Sequence, residues 1–73
     1  MPITGLPRPM RTTDRQQADR CIHAIASRKR ITETFNADGG LVVVTGEVQS
    51  VVDNVDAHLR NWSIIFINAT VRT

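Results

Sequence analysis

Seventy-three residues carry nine Lys and Arg against seven Asp and Glu, a net charge of +2, with 41% apolar residues and one cysteine, Cys21. That length holds one domain, and a single small core rarely contributes more than ~3–5 kcal/mol net. An internal disulfide is excluded, a cysteine-based zinc site nearly so, and no apolar run approaches the ~20 residues of a membrane-spanning helix. In chain order, "MPITGLPRPMRTT" holds all three prolines and no periodicity, so residues 1–13 read as an extended arm or linker. It lacks the apolar stretch of a secretory leader. From Asp14 the pattern changes: Ala18, Cys21, Ile22 and Ile25 recur at helical spacing and predict an amphipathic helix, with Thr13 as its N-cap.

"ITETF" alternates and predicts a short strand, and "NADGG" supplies residues that tolerate a tight turn. "LVVVTGEV" then predicts a β-branched strand of about eight residues, closing an antiparallel hairpin. Ser50 is placed at the start of a second helix, capped through "SVVD", with an apolar stripe of Val51 or Val52, Val55, Leu59 and Trp62. "SIIFINATV" predicts the last strand, with Ile65, Ile67, Ala69 and Val71 on one face and Ile64 and Phe66 on the other. The expected fold is α+β, a two-layer α/β sandwich of order αββαβ over residues 14–73. Two helices pack on one face of a three-stranded mixed sheet, whose last strand arrives by a parallel crossover.

The glycines do not cradle phosphate. Gly39 and Gly40 precede a strand, and Gly46 stands four residues before the expected helix with Glu47 beside it, where a carboxylate repels phosphate. A bulge or strand-end bend is the better account of Gly46.

Charge is split along the chain. Residues 1–30 hold seven cations against two anions, net +5, and residues 31–73 hold two cations against five anions, net −3. Such a split favours oriented contact with a charged surface or with another copy. The candidate binding residues are therefore a basic set, Arg20, Arg28, Lys29 and Arg30, and an acidic set, Glu47, Asp53 and Asp56. No catalytic, metal-binding or cofactor-binding constellation is expected. Cys21 and His23 point about 200° apart on a helix, which disfavours a dyad. His58 reads as a surface residue, and Asp53 and Asp56 as helix-dipole partners. Nucleic acid is a rival partner because Arg outnumbers Lys eight to one, but no recognised nucleic-acid motif accompanies the basic residues. "NWS" and "NAT" match the glycosylation triplet but fall at predicted buried positions.

"GLVVVTGEVQS" resembles the signature hairpin of the BON domain, with Gly40 and Gly46 on the family's two glycines and Val42 and Val44 among its apolar strand positions. "IIFINATV" is similar to the family's last strand, with Asn68 near its common asparagine, and "DRQQADRCIHAIASRKRI" to its first helix. The usual Pro-Gly-Val turn is absent between Trp62 and Ile64. The resemblance implies a non-catalytic module of bacterial envelope assemblies that binds protein subunits, copies of itself or phospholipid. Closely similar ring-building motifs occur in type III secretion inner-membrane rings. It implies no cofactor and no small-molecule substrate. The expected location is the envelope or periplasm as part of a longer chain, and the cytoplasm if these residues are the whole protein.

Overall fold

The computed structural model describes residues 9–37, 39–56 and 58–72. Its elements run β1 (Met10–Thr12), α1 (Arg15–Ser27), β2 (Ile31–Ala37), β3 (Gly40–Asn54) and β4 (Asn61–Arg72). The strands form one sheet of order β1-β4-β3-β2, and every neighbouring pair is antiparallel. The expected αββαβ order is therefore wrong. Among the described residues there is one helix where two were expected, four strands where three were expected, and no parallel crossover.

The error lies between Ser50 and Trp62. Ser50 caps nothing; it stands opposite Ile65, and the ladder continues through Val51↔Ile64, Val52↔Ser63 and Asp53↔Trp62 to Asn54↔Asn61. Val51 and Val52 are β-branched and stiff at χ1, which suits a pleated strand better than a helix. A helix here would also need to bury Val55 and Leu59, and each is 68% exposed in the turn that closes the hairpin. Strand pairing wins because β4 offers every residue from Ser50 to Asn54 a partner across the sheet. Met10–Thr12, read as part of an arm, pairs with Trp62–Ile64 as β1, while residues 1–8 lie outside the described residues.

The sheet curls. β1 and β2 are opposite edges, which in a flat sheet would stand about 14 Å apart, yet their Cα atoms approach within 8 Å. The register of β3 and β4 shifts twice, between Thr45 and Glu47 and between Val48 and Ser50, and such bulges bend and twist the paired strands. Gly46 sits at the first shift. A Cβ there would stand 2.9 Å from both Cα and Cβ of Ala69 and 3.1 Å from the Ile67 carbonyl oxygen, so only glycine admits this approach. Across from it Asn68 takes φ 51°, a left-handed conformation that asparagine tolerates well.

That irregularity decides which face of β4 is the core. Ile64 and Phe66 are 0% and 1% exposed, whereas Ile65 and Ile67 lie on the outer face; past Asn68 the phase changes and Ala69 turns inward at 3%. The interior gathers Met10, Phe35, Val44, Val48, Ile64, Phe66 and Ala69 from the sheet with Cys21 and Ala24 from the helix. Phe35 and Phe66 meet edge to face, ring centroids 5.9 Å apart at 78°.

Helix α1 covers this interior. Asp14, one residue later than expected, is the N-cap and accepts from the Gln16 N–H at 2.9 Å. The helix ends at Arg28, which takes φ 55° and donates its N–H to the Ala24 carbonyl. The buried stripe is Gln17, Ala18, Cys21 and Ala24, with Ile25 packed alongside. Ile22 falls outside the stripe and is 46% exposed.

Candidate functional site

The edges of β1 and β2 face each other across an open cleft of about 800 Å³, lined by residues that include Arg11, Thr13, Gln17, Glu33, Thr34 and Asn36. The helix spans this seam. The Gln17 amide donates to the Glu33 carboxylate at 3.0 Å and to the Thr34 carbonyl at 2.8 Å. Arg20 donates to the same carboxylate through Nε at 3.1 Å and Nη2 at 2.9 Å. The Arg20 hydrogen bonds, against the opposing effect of partial burial, hold the Glu33 carboxyl below the usual carboxylate range. In return Glu33 raises the Arg20 guanidinium above its ordinary value. The cleft's best-placed charges thus satisfy one another, and among the described residues no buried side-chain nitrogen or oxygen lacks a hydrogen-bond partner.

The four basic residues singled out in the sequence do not form one patch. Arg20 turns toward Glu33 and lies about 12 Å along the helix axis from Arg28. Arg30 is also engaged, donating to the Asn68 carbonyl at 2.8 Å and the Thr45 carbonyl at 3.4 Å, where it holds the bulged strands together. Arg28 and Lys29 are exposed at the helix end. The acidic residues are dispersed as well. Glu47 stands opposite Ile67 on the outer face, Asp53 opposite Trp62 on the inner one, and Asp56 in the exposed turn. Asp53 pairs with Arg60 at 2.8 Å, and that contact raises the Arg60 guanidinium.

Cys21 is 0% exposed, and burial pushes its thiol up to about 11, so at neutral pH it is protonated and packed rather than nucleophilic. His23 and His58 are both exposed, His23 on the helix side away from Cys21. Among the described residues, no three His, Cys, Asp or Glu side chains gather closely enough to hold a metal. Of the two glycosylation triplets, Asn68 is exposed, not buried as expected, while Asn61 is half-buried and bonded to Asn54.

The feature that sequence reasoning missed is the far end of the β3–β4 hairpin. On its inner face Asp53 and Arg60 form their ion pair, and the Arg60 guanidinium carbon lies 5.3 Å from the Trp62 ring centroid. On its outer face the Asn54 amide donates to Asn61 Oδ1 at 2.6 Å and to Ser63 Oγ at 2.9 Å, while Asn61 donates to the Leu59 carbonyl at 2.9 Å. Above this bracing the turn exposes Val55 and Leu59, at 68% each, and beside it on the outer face of β3 Val52 is 48% exposed. The available signal was the pair Asn54 and Asn61, both turn-favouring residues, bracketing the stretch read as a helix.

Comparison with protein-family models, with curated proteins and with solved structures finds no match to the chain.

Proposed function

We propose that the chain is a non-catalytic docking module that engages neighbouring protein subunits through its β3–β4 hairpin. One observation carries this reading. Of the six exposed large hydrophobics among the described residues, three, Val52, Val55 and Leu59, fall at the turn end of that hairpin, whereas Leu41 lies at its opposite end and Ile67 between them on the outer face. Scattered apolar residues are normal on a surface, but three at one end of a hairpin mark a place where another molecule can remove them from water. The setting in a bacterial envelope assembly is part of the same proposal and rests on the hairpin resemblance alone. No helix among the described residues is long and apolar enough to cross a membrane.

Adsorption to anionic phospholipid through the basic residues has weaker support. With Arg20 neutralised by Glu33, Arg28, Lys29 and Arg30 are left, the last still fully charged although it donates to backbone carbonyls, and each contributes about 1 kcal/mol near such a surface.

The test is site-specific photo-crosslinking in living cells of the source organism, with the reactive residue placed in turn at Leu41, Val52, Leu59 and Ile67, and at Asp19 on the exposed helix face as control. The expected result is a discrete protein adduct from at least one hairpin position and none from Asp19. Absence of adducts at all four hairpin positions sinks the reading.

A further inference from the structure

We propose that the unpaired margin of β4 is a strand-addition site whose occupant is the chain's own residues 3–9, which continue β1 backward along it. This goes beyond the docking reading and does not depend on it.

The pairing defines the margin. β4 runs from Asn61 to Arg72, but β1 pairs only with Trp62–Ile64. From Ile65 to Arg72, β3 is the one strand paired with β4 among the described residues, so the other side of that stretch is an unpaired edge. β1 is antiparallel to β4 and its first pair is Met10↔Ile64, so the chain before Met10 leads onto this edge. Carrying the register backward sets Pro9 opposite Ile65, Arg8 opposite Phe66 and Pro7 opposite Ile67. The bulge then places Asn68 and Ala69 together against Gly46. With Asn68 passed over, Leu6 stands opposite Ala69 and Ile3 reaches Arg72, where β4 ends.

Two features of the sequence fit that placement. Met10 and Thr12 are buried while Pro9 and Arg11 are exposed, so the same alternation brings Leu6 to the buried side beside Ala69. It sets Pro7 on the outer side beside Ile67, which is 36% exposed. Arg8 shares the buried side at the rim of the sheet, where its long stem carries the charge out to water. The prolines are the second feature. In an antiparallel pair alternate residues bond to the neighbouring strand, and Pro7 and Pro9 are two apart, so both missing N–H groups fall on one margin. A strand that bonds to β4 through Arg8 and Leu6 turns that donor-free margin outward, as proline requires in a sheet, and discourages a further strand. Proximity selects this occupant over a foreign one. Met10 and Thr12 already hold the register beside the free edge, so residues 3–9 meet it at an effective concentration on the order of millimolar, whereas a separate strand first pays the cost of association.

The experiment is solution NMR of the full chain, run on a uniformly labelled sample and on an equal mixture of nitrogen-labelled and carbon-labelled copies, with amide hydrogen exchange read residue by residue. The expected result is slow exchange at Phe66, Ala69 and Val71, with backbone contacts from Arg8 to Phe66 and from Leu6 to Ala69 inside one molecule. Leu6→Pro combined with Arg8→Pro removes the donors that face β4 and should speed exchange at those three amides by about tenfold or more, leaving β2 unchanged. Gly5→Pro alters a nitrogen that faces away from β4 and should leave the three amides slow. Fast exchange at all three in the wild type, or the same acceleration from Gly5→Pro as from the double variant, would overturn the proposal. Contacts from residues 3–9 to β2 would overturn it as well. Contacts seen only between differently labelled copies would make the occupant a second molecule and overturn the assignment to the chain itself.

Discussion

The two ends of the β3–β4 hairpin are held by different physics. Around Gly46 the strands are pressed together against the helix, and order comes from burial of Phe66, Ile64, Val44 and Cys21. Beyond Trp62 toward the turn no apolar residue among the described ones is buried, and order comes from short polar contacts among Asp53, Asn54, Arg60, Asn61 and Ser63. Burial yields stability, because it removes apolar surface from water. Exposed hydrogen bonds and ion pairs yield little net stability but restrict geometry. The buried end therefore keeps the molecule folded, and the braced end presents a shape.

Substitutions can break that contrast at several depths. Phe66→Ala at the buried end should cost about 3–5 kcal/mol, comparable to the whole net stability of so small a core, so circular dichroism and chemical denaturation should show a largely unfolded chain. Gly46→Ala should cost about 1–3 kcal/mol through overpacking against Ala69, visible as a lower urea midpoint with the slope unchanged. At the seam, the depressed pKa of Glu33 stabilises the fold above the carboxylate's unfolded value, and that contribution is lost as pH falls through the lower folded value. Urea titrations at pH 7 and pH 3 should therefore show wild type losing more stability on acidification than Glu33→Gln does. At the braced end, Asn54→Ala should cost less than about 1 kcal/mol overall, while hydrogen exchange of the turn amides accelerates and that of β2 does not. Leu59→Ser should change global stability by no more than about 0.5 kcal/mol. A large loss there would mean that the turn is structural and that the contrast between the ends is mistaken.

Legibility in the sequence followed the same division. The first helix was readable because Ala18, Cys21 and Ile25 repeat at its period, and the β2–β3 hairpin because alternation and turn residues agree there. The stretch from Ser50 to Trp62 misled because Val52, Val55, Leu59 and Trp62 also fit a helical spacing. Periodicity counts apolar residues without knowing which will be buried, and here three of the four remain in water. β1 escaped because three residues carry no period and are fixed only by their partners Trp62–Ile64. The charged patches failed for another reason. Clustering in sequence does not reveal that Arg20 and Arg30 will each find a partner within the chain.

Gln17 has a consequence beyond the cleft it borders. It is 7% exposed, and its amide donates to the Thr34 carbonyl of β2, an edge strand of the sheet. A carbonyl already bonded cannot accept from an incoming strand, so this margin of the sheet is a poor template for cross-β stacking. The chain can then show sticky side chains at its turn without inviting runaway fibril growth along β2.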